Sequence, residues 1–178
     1  MRKTISIDLD DTLNEYFYHF DTYMKSKGYK WVKNKARDYP EIYGLTQNDF
    51  TSIITEFEKI DLLDHIKFVV IEPIRELSKR FDLVVMTARR DFLIEATIKS
   101  VNSTYPGMFK NVIFTRDKAT KLLELGIKIH IDDSPSHVES CKSVGILGIQ
   151  FKGISSRLPW ATDDSLDWPE ILELSKKW

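Results

Sequence analysis

Three closely spaced aspartates near the start of the chain, in the run Asp8-Leu9-Asp10-Asp11-Thr12, constrain its fold most. Residues 4–7 before them alternate between polar and apolar and predict a short strand, whereas an apolar helical spacing begins at Leu13. The carboxylates therefore lie in a turn between a strand and a helix, where open α/β sheets bind their ligands. Because crowded carboxylates repel one another unless protons or a cation neutralise them, this turn predicts a metal site.

Composition narrows the class of protein. The 178 residues are enough for one compact domain with a substantial insertion. The 26 basic and 27 acidic residues nearly balance, which argues against a globally basic nucleic-acid binder and leaves a local basic site open. The single cysteine, Cys141, excludes an internal disulfide framework and fits a reducing compartment. No signal-peptide pattern or membrane-spanning apolar run is present, so we expect a cytoplasmic protein without membrane contact.

Strand and helix patterns alternate after residue 70 and predict the fold class. Strands are predicted at 83–86, 112–114, 127–131 and 146–151. Helices are predicted at 73–81, 91–103, 118–125, from 135 onward and in the tail. This alternation is typical of an α/β fold whose mostly parallel sheet is covered by helices on both faces.

Residues 13–70 depart from this pattern and form a candidate insertion. Helices are predicted from 13 to about 28 and from about 48 to 57, around an irregular basic and aromatic stretch at 29–45. We therefore expect residues 1–12 and 71–178 to form the α/β core and residues 13–70 to form a helical cap. The aromatic residues between 16 and 43 either pack inside this cap or stack on a base, and packing is favoured.

Polar residues follow four of the predicted strands. Asp8 and Asp10 follow the first strand, Thr87 ends the second, Lys118 comes just after the third, and Asp132-Asp133 follow the fourth. Because the carboxyl ends of parallel strands meet at one edge of a sheet, these side chains are expected to share one site. The plainer interpretations are helix caps for the aspartates, a turn for Asp132-Asp133 and an inert strand residue at Thr87.

In this order, these residues resemble the four motifs of the haloacid dehalogenase superfamily. Within the superfamily the chain most resembles the 5'(3')-deoxyribonucleotidases, in the runs Phe114-Thr115-Arg116-Asp117-Lys118 and Ile131-Asp132-Asp133 and in the tail around Trp160 and Trp168. The resemblance implies a Rossmann-like parallel sheet with a small helical cap inserted after the first strand.

The chain also departs from that family at several positions. Ala88-Arg89-Arg90 follows Thr87 where the family usually has Ser-Pro, and Asp11-Thr12 stands where it usually has Gly-Val. Arg37-Asp38 replaces an aromatic pair. Base recognition is therefore less well supported by the resemblance than phosphate chemistry.

The resemblance implies a Mg²⁺-dependent phosphomonoesterase that works through an aspartyl-phosphate. Asp8 would be the nucleophile and Asp10 the general acid and base. Mg²⁺ would be held by Asp8, the backbone carbonyl of Asp10, and Asp132. Asp133 would act behind these ligands, orienting a metal-bound water or the catalytic lysine.

The phosphate would be bound by Thr87 and neutralised by a lysine. Lys118 is favoured for this role over Lys121 because of the Thr-Arg-Asp-Lys match. Of the four histidines, His19, His130 and His137 are scattered and His65 has no identifiable partner, so no histidine metal site is predicted.

The expected substrate is a small phosphomonoester, specifically a deoxynucleoside monophosphate. The substrate-binding candidates are Thr12, Tyr16, Ala88, Arg89 and Arg90. The two arginines oppose the dipole of the helix that follows them, so they either contact a second phosphate or extend into water. The alternatives are a phosphatase for nucleic-acid ends or sugar phosphates and a non-catalytic binding module, and the sequence leaves the oligomeric state open, a homodimer included.

Overall fold

A five-stranded parallel sheet lies at the centre of the protein. The structure is a computed structural model that describes residues 2–59 and 68–178. Its strands, in the spatial order β3-β2-β1-β4-β5, are β1 (Thr4–Ile7), β2 (Asp82–Thr87), β3 (Phe109–Phe114), β4 (Ile129–Asp132) and β5 (Leu147–Gln150). The predicted α/β fold is confirmed.

Strand register brings the polar ends of the three central strands level. Ile7 of β1 pairs with Val85 of β2 on one side and with Ile131 of β4 on the other. The backbone N–H of Asp8 then donates to the carbonyl of Ile131 at 2.8 Å. The residues that follow β1, β2 and β4 are therefore neighbours at the carboxyl edge of the sheet.

Helices cover both faces of the sheet, as buried parallel strands require. They are α4 (Glu72–Ser78), α5 (Ile94–Thr104), α6 (Lys118–Glu124), α7 (Pro135–Ser143) and α8 (Trp168–Leu174), with 3₁₀ turns at Asp91–Leu93 and Ser175–Lys177. Successive side chains of β2 point to opposite faces of the sheet, and each face has its own apolar cluster. Leu83 and Val85 pack in one cluster, and Val84 and Met86 pack in the other. Cys141 is buried in the second cluster, where burial raises the pKa of its thiol to about 11.

Three helices between β1 and residue 59 form a separate aromatic cluster. They are α1 (Tyr16–Ser26), α2 (Tyr39–Tyr43) and α3 (Gln47–Lys59). Phe20 is fully buried at their centre and makes edge-on ring contacts with Tyr39, Phe50 and Phe57. Trp160 from the tail also packs into this cluster. Most of the aromatic residues in this segment therefore pack against one another, as the favoured interpretation held.

Several element bounds differ from the sequence-based expectation. The first helix begins at Tyr16 rather than residue 13, because the carboxamide of Asn14 accepts a hydrogen bond from the Tyr16 N–H at 3.1 Å and holds the chain in a turn. The short α2 lies in the stretch expected to be irregular, and the side chain of Asp38 caps it. β3 begins at Phe109, three residues before its expected start.

Residues 60–67 lie outside the described residues, and with them His65 and most of the short apolar link that the sequence predicts at 61–70. Among the described residues, no helix is long and apolar enough to cross a membrane.

Candidate active site

The carboxyl ends of β1, β2 and β4 open into a cavity of about 240 Å³. Its walls include most of the residues that sequence reasoning selected, namely Asp8, Asp10, Tyr16, Thr87, Ala88, Arg89, Lys118, Asp132 and Asp133. Two selected residues, Thr12 and Arg90, do not line it. One cavity therefore contains side chains from strand ends that are far apart in sequence.

Lys118 lies between the carboxylates of Asp8 and Asp132. Asp117 caps helix α6 by accepting a hydrogen bond from Thr120 N–H, and this cap sets Lys118 at the first turn of the helix. The Lys118 ammonium donates to Asp8 and, at 2.6 Å, to Oδ2 of Asp132. Burial alone would lower the pKa of Lys118, but the two carboxylates outweigh it and raise the pKa, so the lysine is charged.

Asp8, Asp132 and Asp133 could hold one metal ion. Each is buried and offers a carboxylate oxygen, and these oxygens lie within 4.8 Å of one another. Burial and the neighbouring carboxylates raise the pKa of Asp8 to about 7 and that of Asp133 well above its ordinary value. Three buried oxygen ligands with one cationic neighbour suit a hard divalent ion such as Mg²⁺, which would favour the ionised forms.

Asp133 lies closer to the other carboxylates than a purely supporting role would require. Its Oδ2 accepts a hydrogen bond from the indole N–H of Trp160 at 2.9 Å. Gln150, at the end of β5, donates to the backbone carbonyls of both Asp133 and Trp160. The tryptophan-rich tail therefore orients one of the three candidate metal ligands.

Asp10 is paired with Arg89. Nε of Arg89 donates to Oδ2 of Asp10 at 2.8 Å, and Nη2 of Arg89 donates to Oδ1 of Asp10 at 2.5 Å. NH1 donates to Thr97, and Asn14 donates to Oδ1 of Asp10 from the other side. Burial alone would lower the pKa of Arg89, but Asp10 outweighs it and raises the pKa. Arg89 is buried, so it does not extend into water, and its contact with a second phosphate stays a prediction.

Asp11 has a left-handed backbone with φ of 61°, and no other non-glycine residue among those described has a positive φ. Its Oδ1 accepts from the N–H of Phe17 at 2.6 Å, and its Oδ2 accepts from the hydroxyl of Tyr39. Burial raises the pKa of Asp11 to about 8. This carboxylate, which lies at a position where the resembling family usually has glycine, connects the first motif to helices α1 and α2.

Residues from the aromatic helices form the wall opposite the strand ends. Tyr16 and Glu58 both line the cavity, and the Tyr16 hydroxyl donates to Oε1 of Glu58 at 3.0 Å. Arg90 donates to Oε2 of Glu58 at 2.8 Å and to Thr55, joining the loop after β2 to α3. Tyr16 is 4% exposed and contacts Phe57 and Tyr39 edge-on, so its ring packs rather than standing free.

Sequence reasoning missed two histidines at this site. Both His130 and His137 contact Oδ2 of Asp132, at 2.8 and 3.2 Å. Burial lowers the pKa of His130, which favours the neutral ring. Their positions could have been anticipated from spacing, since His130 shares a strand face with Asp132 and His137 lies in the first turn of the helix that follows.

The remaining selected residues are Thr87 and Ala88, which line the cavity, and Thr12, which does not. The Thr87 hydroxyl accepts a hydrogen bond from the backbone N–H of Arg89 at 3.3 Å, and Ala88 lines the cavity between them. Thr12 lies behind the site, fully buried, and its backbone carbonyl accepts from the indole of Trp168 at 3.3 Å. The Thr12 hydroxyl has no hydrogen-bond partner among the described residues.

Comparison with solved structures places this fold among haloacid dehalogenase-like hydrolases. A Thermotoga maritima protein assigned as a β-phosphoglucomutase matches with a TM-score of 0.58 and 17% identity, covering 98% of this chain and 99% of that one. A haloacid dehalogenase-like hydrolase from Streptococcus pneumoniae gives a TM-score of 0.63 at 15% identity, covering 98% of each chain.

A Bacillus subtilis protein assigned to the same hydrolases, whose structure contains magnesium, gives a TM-score of 0.60 at 12% identity, covering 97% of this chain and 98% of that one. Comparisons with protein-family models and with curated proteins returned no match. At these identities the likeness establishes the fold, which is the haloacid dehalogenase-like α/β fold.

Proposed function

We propose that this protein is a Mg²⁺-dependent phosphomonoesterase that forms an aspartyl-phosphate, an acyl phosphate, on Asp8. The observation that carries the proposal is the convergence of three buried carboxylates, Asp8, Asp132 and Asp133, whose oxygens lie within 4.8 Å, beside the ammonium of Lys118. Asp10 and Thr87 face the same cavity. In this set Asp8 is the nucleophile and Asp10 is the group that transfers protons. Lys118 and a bound Mg²⁺ would neutralise the negative charge of the phosphate.

In the first step a carboxylate oxygen of Asp8 attacks phosphorus and the bond from phosphorus to the leaving oxygen breaks. Asp10, in its protonated form, gives its proton to that oxygen, which departs as an alcohol. In the second step Asp10 takes a proton from water as the water oxygen attacks phosphorus. The Asp8–phosphorus bond then breaks, phosphate leaves, and both aspartates return to their starting states.

Charge stabilisation comes from the groups around this path. Lys118 neutralises negative charge on Asp8 and on the phosphate oxygens, and the Thr87 hydroxyl and nearby backbone N–H groups donate to those oxygens. The Asp8, Asp132 and Asp133 carboxylates and the Asp10 carbonyl would hold Mg²⁺. When bound, Mg²⁺ polarises the phosphate and offsets the mutual repulsion of these carboxylates.

Helices α1, α2 and α3 act in this proposal as a cap that excludes water from the cavity. The proposed division assigns residues 13–70 to the cap and residues 1–12 and 71–178 to the core. Support comes from the aromatic cluster, which is separate from the two sheet cores, and from Tyr16, Tyr39 and Glu58, which face the cavity from these helices.

The proposed substrate is a deoxynucleoside monophosphate. Its support is the sequence resemblance to deoxyribonucleotidases together with the half-buried ring of Tyr39 in the cavity wall. A sugar phosphate is the second candidate, because one structural relative is assigned as a β-phosphoglucomutase.

Hydrolysis of p-nitrophenyl phosphate with and without Mg²⁺ tests the chemistry directly. The wild-type protein should release p-nitrophenol only with the metal, and Asp8→Asn should lower kcat by at least about 10³-fold because the nucleophile is lost. Lys121→Gln, which removes a charge from an exposed lysine on the same helix as Lys118, is the control and should retain activity.

A panel of deoxynucleoside monophosphates and hexose phosphates then ranks the substrates by kcat/KM. Wild-type turnover that persists in Asp8→Asn would contradict the covalent route. Absence of any turnover with Mg²⁺ would favour a binding protein over an enzyme.

A further inference from the structure

A second cleft lies beside the catalytic cavity and belongs to no part of the chemistry above. It is formed by residues 89–92, after β2, and by residues 114–116, at the end of β3 and just beyond it, and encloses about 400 Å³. We name it the arginine cleft, since Arg89, Arg90 and Arg116 are in its wall. Arg89 lines both this cleft and the catalytic cavity, so the two spaces adjoin.

The two loops that form the cleft are held together by the sheet. The N–H of Thr115 donates to the carbonyl of Thr87 at 2.9 Å, continuing the pairing of β2 with β3 past the end of the strands. The cleft therefore opens at the same carboxyl edge as the catalytic cavity. A ligand with its terminal phosphate near Asp8 could extend past Arg89 into the cleft.

The charges in the cleft are only partly used within the protein. Arg89 is paired with Asp10, and Arg90 contributes NH1 alone to Glu58 and Thr55. Arg116 is exposed, and none of the described residues pairs with its side chain. One exposed carboxylate, that of Asp91, also lines the cleft and balances the formal charge of Arg116, so the cleft offers a phosphate unpaired guanidinium N–H groups rather than an excess of positive charge.

An exposed aromatic ring accompanies these cations. Phe92 is 51% exposed although it is large and apolar, and it lines the cleft together with Phe114. Arginines beside a solvent-facing phenylalanine match the two chemical parts of a nucleotide, since guanidinium groups bind phosphate and aromatic rings stack on bases.

We propose that the arginine cleft binds a second phosphate and the adjoining base of a substrate whose terminal phosphate enters the catalytic cavity. This proposal rests on the proposed phosphatase function and makes it more specific. The shared ligand chemistry is a phosphate next to a planar base, which is found in a nucleoside bisphosphate and at the phosphorylated end of an oligonucleotide. Arg116 and the free nitrogens of Arg90 contact the phosphate, and Phe92 stacks on the base.

The kinetic test compares substrates with one and two phosphates. We measure kcat/KM for two substrates with one phosphate, thymidine 5'-monophosphate and thymidine 3'-monophosphate. We compare these values with kcat/KM for thymidine 3',5'-bisphosphate and for thymidine dinucleotides phosphorylated at the 5' or the 3' end. We expect kcat/KM about tenfold higher for the best substrate with two phosphates, and a smaller advantage as salt is raised. A gain with the bisphosphate identifies the second phosphate as sufficient, and a gain confined to a dinucleotide identifies a nucleic-acid end.

Variants that remove a positive charge, a negative charge or the aromatic ring from the cleft make this test specific to it. Arg116→Gln should remove most of the advantage, Phe92→Ala should reduce it about fivefold, and Asp91→Asn should increase it. Lys110→Gln, which makes the same charge change at the amino-terminal part of β3, should leave it unchanged. None of these variants should change the hydrolysis of p-nitrophenyl phosphate, which has no second phosphate.

A binding measurement distinguishes an error in the cleft proposal from an error in the phosphatase proposal. Calorimetric titration with thymidine 3',5'-bisphosphate needs no turnover and should give about tenfold weaker binding to Arg116→Gln than to the wild-type protein. If the wild-type protein hydrolyses p-nitrophenyl phosphate but treats substrates with one and two phosphates alike, the cleft proposal is wrong and the phosphatase proposal stands. If Arg116→Gln and Lys110→Gln behave identically in both measurements, the cleft proposal is likewise wrong.

Discussion

At the scale of single residues, the site is a set of carboxylates, each of which accepts a hydrogen bond from at least one side-chain donor. Asp8 and Asp132 share Lys118, Asp10 is held by Arg89, and Asp133 is held by the Trp160 indole. A donor on each carboxylate is required because burying an unpaired charge costs several kcal/mol. The donor chosen for each aspartate then decides which proton transfers it can perform.

Arg89 should matter most when the leaving group needs a proton. General acid catalysis contributes about 10²–10⁴-fold, and Arg89 binds the carboxyl group of Asp10, the residue that supplies it in the proposed mechanism. We expect Arg89→Gln to lower kcat on an alkyl phosphate by about 10²-fold and on p-nitrophenyl phosphate far less, since p-nitrophenolate departs unprotonated. Arg89→Lys should recover part of the loss.

Asp10→Asn, which removes the general acid itself, gives the largest loss of kcat that Arg89→Gln could cause through Asp10. Adding Arg89→Gln to Asp10→Asn should therefore lower kcat on the alkyl phosphate little further. An equal loss on both substrates would show that Arg89 acts on the fold rather than through Asp10.

At the scale of elements, three contacts join the aromatic helices to the sheet around the cavity. The Tyr39 hydroxyl of α2 donates to Asp11 after β1, Arg90 after β2 pairs with Glu58 of α3, and the ring of Trp160 packs 4.8 Å from that of Tyr39. Because each contact ends at a residue beside the catalytic cavity, the position of these helices and the geometry of the site depend on each other.

Removing the Tyr39 hydroxyl tests that dependence. Tyr39→Phe leaves the buried Asp11 carboxylate with one donor fewer, which should cost about 1–3 kcal/mol in the free energy of unfolding. For a chain of this length that lowers Tm by several degrees, and KM for the phosphate substrate should rise as the wall of the cavity loosens.

The matched control for this change is Tyr43→Phe. Tyr43 lies on the same helix and donates to the carboxylate of Asp21 at 2.8 Å, outside the catalytic cavity. It should lose comparable stability in thermal denaturation and keep its KM. A KM shift of equal size in both variants would contradict the coupling.

At the scale of the whole molecule, the carboxylates make stability depend on pH and metal. Burial raises the pKa of Asp8 to about 7, that of Asp11 to about 8 and that of Asp133 well above its ordinary value. Between pH 4 and pH 8 the folded protein therefore holds more protons on these groups than the unfolded chain does. By linkage, their contribution to stability falls as pH rises through this window.

Other groups do not reverse that trend. The pKa of His130 is lowered by burial, so its contribution rises only until the unfolded histidine loses its proton near pH 6.5. Lys118 pulls the pKa of Asp132 well below its ordinary value, so that contribution is already complete above pH 4. The net expectation for the metal-free protein is a loss of stability from pH 5.5 to pH 8.5.

Thermal denaturation in EDTA and in Mg²⁺ across this range measures the effect. Tm in EDTA should fall as pH rises, and Mg²⁺ should raise Tm most at the alkaline end, where the carboxylates it stabilises are ionised. Asp11→Asn should flatten the EDTA curve, because the amide cannot titrate. A Tm in EDTA that rises steadily with pH would contradict the raised pKa values.

Part of this architecture could be predicted from local patterns. Alternating strand and helix periodicity predicted the parallel sheet, and the positions of Asp8, Thr87 and Asp132 at strand ends predicted that they would meet. Periodicity is a local property of the chain, and parallel strands bring their carboxyl ends to one edge whatever the loops contain. The short helix α2, which begins at Tyr39, was missed because five residues are too few to show a period.

The sequence by itself determined the fold class and indicated that Asp8, Asp10, Asp132 and Asp133 share one site, whereas Glu58 joins them only through the packing of α3. Only the tertiary structure decided which donor neutralises each of them: Lys118 reaches Asp8 across 110 positions, and Arg89 reaches Asp10 across 79. The physical reason is that a buried charge selects its partner by distance in space, and that distance depends on how separate elements pack. The same packing left Arg116 without a partner among the described residues, in a cleft that it shares with an exposed Phe92, which no local pattern in the chain indicates.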